Sequence, residues 1–188
     1  MSRRIVAVAT LLAASAALAG PPAAAGDVPR GRMGIGDSIM LSASDELGPL
    51  GYVLDAEVGR QFSTGVEIVR RRANHGTLPR IVIVHLGTNG PIPSDGCDDL
   101  RAAAANRQIF VVTVKVPRSW EGPNNDLLNA CANASDRVHV IRWYARASRH
   151  PEWYGEDGYH PNAAGQAAFA ALIDEVVDDT MAARRAAR

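Results

Sequence analysis

A serine, a histidine and an aspartate are spaced along the chain in a pattern that could carry out acyl transfer. Ser38 follows a short apolar run that ends in Gly36-Asp37, and another apolar stretch begins directly after it. Asp157 and His160 are separated by two residues in "EDGYHPN". Acyl transfer by serine needs a nucleophile, a base and a carboxylate that orients the base. Ser38 is therefore the candidate nucleophile, His160 the candidate base and Asp157 its partner.

The same chemistry needs hydrogen-bond donors for the oxyanion that develops on the substrate. The backbone N–H of Ser38, at the start of a predicted helix, is one candidate. Gly59 offers an unobstructed backbone N–H after the second strand-like stretch, and Asn89 offers a side-chain amide after the third. The candidate oxyanion hole therefore consists of Ser38, Gly59 and Asn89.

Each of these residues also has an ordinary structural explanation. Serine and aspartate are good helix N-caps, and glycine permits tight turns, so Asp37-Ser38 could simply begin a helix. Gly59 and Asn89 could be turn residues, and His160, which precedes a proline, could be a loop histidine. Only the joint placement of the residues favours a catalytic site.

The chain alternates between strand-like and helix-like segments. The predicted strands are Arg32–Gly36, Tyr52–Val58, Arg80–Leu86, Gln108–Val116 and Arg137–Trp143. The predicted helices are Ile39–Leu47, Ser63–Asn74, Asp98–Asn106, Asn124–Ala134 and Ala163–Met181. This alternation favours an α/β fold in which a five-stranded parallel sheet of flavodoxin-like type carries helices on both faces. Ligands of such sheets bind beyond the carboxyl ends of the strands, where Ser38, Gly59 and Asn89 are expected.

The first residues resemble a secretory signal. "MSRR" is positively charged, and the apolar "IVAVATLLAASAALA" that follows is of suitable length. We predict a signal peptide over residues 1–25 and a single domain over 26–188, which implies a secreted or cell-envelope location. The alternative is an uncleaved membrane anchor, for which the apolar run is short. Lys plus Arg and Asp plus Glu both number 20, so nothing points to nucleic acid as a partner.

Export affects the interpretation of the two cysteines, Cys97 and Cys131. An even number of cysteines in an oxidising compartment favours one disulfide. The alternatives are two free thiols or half of a metal site. Neither cysteine has a neighbouring Cys or His at zinc-ligand spacing, so we do not expect a metal.

Three further residues are candidates for contact with substrate. Arg60 and Gln61 directly follow Gly59, and they could either touch substrate or brace the turn. Trp120 lies in a predicted loop near the carboxyl edge of the sheet. Aromatic rings stack well on sugar faces, although a purely structural tryptophan is an equally good interpretation.

The chain resembles the SGNH (GDSL) hydrolase family through Gly36-Asp37-Ser38, Gly59, Gly87-Thr88-Asn89 and Asp157-Gly158-Tyr159-His160. The resemblance covers about residues 33–177. It implies a three-layer α/β/α fold and serine-dependent ester hydrolysis or acyl transfer without a metal or organic cofactor. It also implies the roles proposed above for the nucleophile, base, carboxylate and oxyanion donors.

The segments "GDSIMLSAS", "DAEVGRQF", "VIVHLGTNG" and "VPRSWEGPNN" are similar to the extracytoplasmic SGNH domain of bacterial peptidoglycan and polysaccharide O-acetyltransferases. In that group the domain usually follows a multi-span membrane acyltransferase module. The 188 residues contain no such module, so we expect a separate membrane acyltransferase or a soluble ester to supply any acetyl group.

Three functional hypotheses follow. The first is an exported serine esterase that hydrolyses small acyl esters, such as acetyl groups on cell-envelope carbohydrate. The second is an O-acetyltransferase that uses the same residues with a sugar hydroxyl as acceptor. Because water and sugar compete for one acyl-enzyme, the residues alone do not separate these two. The third and weakest is an inactive glycan-binding module, which would have no need of the complete set of catalytic residues.

Overall fold

The structure is a computed structural model that describes residues 31–187, so the predicted signal peptide lies outside the described residues. Its centre is a five-stranded parallel sheet in the order β2-β1-β3-β4-β5. The strands are β1 (Arg32–Gly36), β2 (Tyr52–Ala56), β3 (Ile81–His85), β4 (Gln108–Val112) and β5 (Val138–Ile141). This flavodoxin-like order confirms the predicted sheet.

The helices cover both faces of the sheet and form the outer two of three layers. They are α1 (Ser38–Ser42), α2 (Ser44–Leu47), α3 (Phe62–Asn74), α4 (Gly96–Ala104), α5 (Glu121–Asn133), α6 (Trp143–Ala147) and α7 (Ala163–Ala186). A 3-10 turn, Pro151–Trp153, precedes α7.

Alternate residues along the strands point into two separate cores. On one face, Val82, Val84 and Val111 pack against α3, α4 and α5. On the other face, Ile83 and Phe110 pack against α1, α2, α6 and α7. Because both faces of β3 and β4 are buried, these strands are nearly continuous β-branched and apolar runs, which made them readable in the sequence.

The strand register brings three loops together at one edge of the sheet. Gly36, the last residue of β1, pairs with Ala56 on one side and His85 on the other. Because β1 lies between β2 and β3, the segments that follow these strands leave the sheet side by side. The segments that carry Ser38, Gly59 and Asn89 therefore begin next to one another.

Several predicted elements differ in extent from the observed ones. The helix predicted over Ile39–Leu47 is divided into α1 and α2, the last helix runs on to Ala186, and several strands are shorter than predicted. The strand predicted to Val116 ends at Val112, because the Asn125 side chain takes both the N–H and the C=O of Val114 at 2.8 and 2.9 Å. The strand predicted to Trp143 ends at Ile141, and α6 begins instead. Thr113 Oγ1 accepts the N–H of Tyr144 at 2.9 Å, which satisfies a donor in the first turn of that helix.

A disulfide bond joins two of the helices on one face of the sheet. Cys97 in α4 and Cys131 in α5 form a disulfide with a Cα–Cα distance of 5.5 Å, the pairing that the even cysteine count favoured. Across residues 31–187, no helix is both long and apolar enough to cross a membrane.

Candidate active site

Ser38 stands where β1 passes directly into α1. The N–H of Asp37 still bonds to the strand neighbour His85 O at 3.3 Å, and the Asp37 carboxylate accepts the N–H of Ile39 at 3.0 Å as the helix N-cap. Gly36 is required here because a Cβ at this position would overlap Met40 in α1. The strand thus turns into the helix within one residue, and the half-buried Ser38 side chain lies at the carboxyl edge of the sheet.

Ser38, His160 and Asp157 form one hydrogen-bonded chain. Ser38 Oγ lies 3.1 Å from His160 Nε2, and His160 Nδ1 lies 2.7 Å from Asp157 Oδ2. A proton on Nδ1 that is donated to the carboxylate leaves the Nε2 lone pair free to accept the serine O–H. This is the geometry that a serine nucleophile, its base and an orienting carboxylate require.

The Asp157 carboxylate is held by the backbone of its own loop. Its second oxygen accepts the N–H groups of Tyr159 at 3.1 Å and His160 at 3.0 Å. The hydrogen bond to the His160 imidazole, followed by these two backbone bonds, lowers the pKa of Asp157 to about 2. The carboxylate is therefore ionised at neutral pH and can stabilise an imidazolium as it forms.

The loop that carries Asp157 and His160 is anchored at both ends but open to solvent. Tyr154 and Pro161 form an antiparallel bridge across its base. Asn162 caps α7 by accepting the N–H of Gly165 at 3.1 Å, and its own N–H bonds to Trp153 O at 2.8 Å. The Asp157 and His160 side chains remain 43% and 42% exposed, so a large alcohol or a water molecule can reach the imidazole.

A second acid–imidazole pair lies beneath Ser38. His85 Nδ1 is 3.2 Å from Asp37 Oδ1, and both side chains are buried. Burial by itself raises the pKa of Asp37, but the charge and hydrogen bond of His85 and the Ile39 N–H outweigh it, so the pKa lies below its usual value. His85 also meets Phe169 edge to face, with 5.1 Å between ring centroids. The pair therefore holds the cap of α1 in place rather than facing the solvent.

The three candidate oxyanion donors come from the three neighbouring loops. Gly59 lies in the turn after β2 and has a φ of +76°, a conformation that favours glycine. In the same turn, the N–H of Glu57 donates to Gly36 O at 3.2 Å and so links the turn to the end of β1. Within residues 31–187, the N–H groups of Ser38 and Gly59 donate to no protein atom. In the described part of the chain, the contact that Asn89 Nδ2 makes is a long one of 3.5 Å to Arg60 O, so the amide remains available to another acceptor.

Arg60 braces the turn that contains Gly59. Its guanidinium donates to the backbone oxygen of Asp55, forms a 2.9 Å ion pair with the Asp55 carboxylate and lies 3.3 Å from Glu57. Its side chain is only 5% exposed, whereas the Glu57 side chain faces solvent. Of the two roles considered for Arg60, this geometry is that of a brace.

Gln61 and Trp120, the other candidate substrate contacts, both touch the loop of Asn89. Gln61 Nε2 donates to Asn89 O at 3.0 Å, and Trp120 Nε1 donates to Thr88 O at 3.2 Å. Contact of either residue with a substrate stays a prediction. Within the part of the chain that the structure describes, no group of three or more His, Cys, Asp and Glu side chains is arranged to hold a metal ion.

One residue of this site was not singled out in the sequence. Asn124, in the first turn of α5, is 2% exposed and bonds to both sides of the Asn89 loop. The only sequence signal is a pair of asparagines in "EGPNND", at the start of a predicted helix. Nothing local distinguishes such an asparagine from a solvated one.

The three-layer fold and the Ser38–His160–Asp157 chain together define the class of serine acyl hydrolases and acyltransferases built on a flavodoxin-like sheet. The chain has the SGNH (GDSL) hydrolase fold, and about three quarters of its length is homologous to bacterial O-acetyltransferases. No family model matches the chain.

Two relatives and one solved structure specify the likeness. YrhL of Bacillus subtilis (strain 168), provisionally named a peptidoglycan O-acetyltransferase, is 34% identical over 143 residues, which are 75% of this chain and 23% of YrhL. The O-acetyltransferase OatA of Staphylococcus aureus (strain NCTC 8325 / PS 47) is 31% identical over 147 residues, 77% of this chain and 24% of OatA. The chain thus spans about a quarter of the length of these relatives.

The solved structure is the C-terminal catalytic domain of Streptococcus pneumoniae peptidoglycan O-acetyltransferase A, with a methylsulfonyl adduct. It superposes with a TM-score of 0.76 at 23% identity and covers 82% of this chain and 96% of that chain. At this identity the likeness establishes the fold.

Proposed function

We propose that this protein is an extracytoplasmic serine enzyme that transfers acetyl groups to hydroxyl groups of cell-envelope glycan. The observation that carries the proposal is the hydrogen-bonded chain from Ser38 through His160 to Asp157, at 3.1 and 2.7 Å. The names of the relatives supply the acyl group and the class of glycan, since they are O-acetyltransferases and some are named for peptidoglycan. The predicted signal peptide supports a location outside the cytoplasmic membrane.

The first half of the reaction acetylates the enzyme. His160 Nε2 takes the proton of Ser38 Oγ as this oxygen attacks the acetyl carbonyl of the donor ester. The carbonyl π electrons move to its oxygen, which is stabilised by the N–H groups of Ser38 and Gly59 and by the Asn89 amide. The tetrahedral intermediate then collapses, the bond to the donor alcohol breaks, and the alcohol leaves with the proton held by His160.

The second half releases the acetyl group to an acceptor hydroxyl. His160 removes the proton of that hydroxyl as its oxygen attacks the acetyl-Ser38 carbonyl, and the same donors stabilise the second oxyanion. Ser38 Oγ then leaves and recovers its proton from His160. With a sugar hydroxyl as acceptor the product is an O-acetylated glycan, and with water it is acetate.

Transfer to a glycan hydroxyl is the function that we favour, because YrhL and OatA, which match about three quarters of this chain at over 30% identity, are named O-acetyltransferases. Hydrolysis is the second candidate, and one observation favours it. The imidazole of His160 is 42% exposed, so water has direct access to the base when no sugar occupies the site. For transfer, we propose that a separate membrane acyltransferase or a soluble ester supplies the acetyl group.

Products distinguish the two candidates. The protein is incubated with p-nitrophenyl acetate as donor, with and without a chitooligosaccharide acceptor, and the sugar is examined by mass spectrometry. Ser38-dependent addition of O-acetyl groups to the sugar supports transfer. Ser38-dependent release of acetate with an unchanged sugar mass supports the esterase. Equal rates for wild type and Ser38→Ala would remove the support for a serine enzyme, and the glycan-binding hypothesis would then be preferred.

A further inference from the structure

Four successive backbone carbonyls in the loop after β3 each accept a hydrogen bond from a side chain of another element. Asn124 donates to Gly87 O and Gly90 O, both at 2.9 Å. Between these two bonds, Trp120 donates to Thr88 O at 3.2 Å and Gln61 donates to Asn89 O at 3.0 Å. We call Gln61, Trp120 and Asn124 the carbonyl clamp. The loop that it holds is the one that presents the Asn89 amide.

Asn124 is the centre of this clamp because all of its polar atoms are used. Its Oδ1 accepts the N–H of Ile92 at 2.8 Å, and both bonds from Nδ2 go to carbonyl oxygens. Only one orientation of the amide satisfies these three partners, since the oxygen must face an N–H and the nitrogen must face C=O groups. At 2% exposure the side chain is sealed from solvent and cannot touch a substrate.

The other two members of the clamp directly precede two different helices. Trp120 is the N-cap residue of α5, and Gln61 is the N-cap residue of α3. Neither uses its side chain to cap its own helix. Gln61 is exposed and Trp120 half-buried, so each can be altered with less effect on folding than the buried Asn124.

We propose that Asn124, with Trp120 and Gln61, is a positioning residue that fixes the Asn89 amide where the oxyanion forms. The proposal rests on the proposed function, in which Asn89 is an oxyanion donor. A donor stabilises the transition state fully only if it already points at the developing charge, because reorienting it during the reaction costs free energy. Among residues 31–187, the side-chain amide of Asn89 is held by nothing stronger than its 3.5 Å contact to Arg60 O, so its orientation depends on the backbone that the clamp fixes.

The neighbouring residue Asn125 provides a matched control. It is also a buried asparagine of α5, and its amide bonds to the N–H and C=O of Val114 at 2.8 and 2.9 Å. These bonds hold the loop after β4 rather than the loop of Asn89. Replacement of either asparagine by alanine therefore removes a similar set of buried hydrogen bonds, but only one of them belongs to the carbonyl clamp.

The test is a double-mutant cycle with p-nitrophenyl acetate, in which kcat/KM is measured for Asn124→Ala, Asn89→Ala and the double variant. We expect Asn124→Ala to lower kcat/KM by up to about 100-fold, the cost of a small displacement of a catalytic group. In the Asn89→Ala background the same substitution has no further effect, because it acts through Asn89. Asn125→Ala leaves kcat/KM near the wild-type value at a temperature where the thermal unfolding curve shows it folded.

Equal factors for Asn124→Ala in both backgrounds would overturn the proposal, as would an equal loss with Asn125→Ala. If Asn124→Ala does not fold, Trp120→Phe and Gln61→Ala replace it in the cycle, since each removes one donor of the clamp. The proposed function fails separately, through an active Ser38→Ala variant. If Ser38→Ala is inactive but the losses of kcat/KM caused by Asn124→Ala and Asn89→Ala multiply in the double variant, the positioning role of the clamp is refuted and the proposed function stands.

Discussion

Ser38 and His160 are 122 positions apart in the chain, yet Ser38 Oγ and His160 Nε2 lie 3.1 Å apart. The contact joins the first strand–helix turn of the fold to the loop before the last helix. Because α1 and α7 pack in the same core on one face of the sheet, closing the fold is what brings His160 to Ser38. An unfolded or partly folded chain therefore has neither group in place.

Replacement of the base tests this contact. His160→Ala is expected to lower kcat/KM for p-nitrophenyl acetate by about 100- to 10,000-fold, the usual contribution of a positioned general base. Steady-state kinetics at neutral pH measures the effect. The control is His75→Ala, because His75 is exposed at the end of α3, far along the chain from the catalytic loop. Equal activity of His160→Ala and His75→Ala would show that His160 is not the base.

Gly59 allows backbone strain to be separated from loss of an oxyanion donor. Gly59→Ala places alanine at a φ of +76°, which costs about 1–2 kcal/mol, although no atom of residues 31–187 lies within 4 Å of the added Cβ. Gly51→Ala introduces the same strain at a φ of +85°, also without obstruction, in the turn before β2 at the opposite edge of the sheet.

Both glycine variants should therefore lose similar stability in urea unfolding, but only Gly59→Ala should lose activity. If Gly51→Ala loses as much kcat/KM as Gly59→Ala, the effect comes from general strain and the Gly59 N–H has no special role.

The disulfide is expected to stabilise the domain without taking part in the reaction. Cys97 and Cys131 are 34 residues apart in sequence, and on the chain-entropy model closing such a loop contributes about 4 kcal/mol. Reduction, or replacement of both residues by alanine, should lower the free energy of unfolding by this order and leave kcat/KM at 25 °C close to wild type. Alkylation of both thiols in denatured, unreduced protein would contradict the pairing.

Acid should weaken the fold partly through Asp37. Its pKa in the folded protein lies below the ordinary 3.8, so its charged form contributes stability above that pH, and the contribution is lost as the pH falls below it. Asp37→Asn cannot lose a charge, and the isosteric amide still offers an oxygen to the Ile39 N–H. The stability of Asp37→Asn should therefore fall less steeply than that of wild type between about pH 4 and pH 2, measured as urea midpoints. Parallel curves would exclude this contribution.

The sequence predicted the sheet well because β3 and β4 are buried on both faces and so carry runs of apolar residues. It did not predict where β4 ends or where α6 begins. Both boundaries depend on contacts between distant residues. The Asn125 amide bonds to the N–H and C=O of Val114, so these groups do not pair with a neighbouring strand. Trp143 is buried against Phe169, with 5.1 Å between ring centroids. Local pattern cannot reveal such contacts.

The same distinction holds at the site. Ser38, Asp157 and His160 were proposed from residue type and local spacing, and the structure brings their side chains together. Asn124 was missed because its partners lie 32 to 37 positions earlier in the chain. Arg60 could not be assigned from sequence to substrate or to the turn until its ion pair with Asp55 was seen.

The most direct test of the proposed mechanism is to find the acetyl group on the enzyme. The protein is mixed with p-nitrophenyl acetate, quenched in acid within the first turnovers, digested with trypsin and analysed by mass spectrometry. We predict that an acetyl group appears on Ser38 in the peptide Met33–Arg60. Ser38→Ala should show no such label and should release no p-nitrophenol above the uncatalysed rate. Acetylation at another residue, or unchanged turnover in Ser38→Ala, would contradict a serine acyl-enzyme at this site.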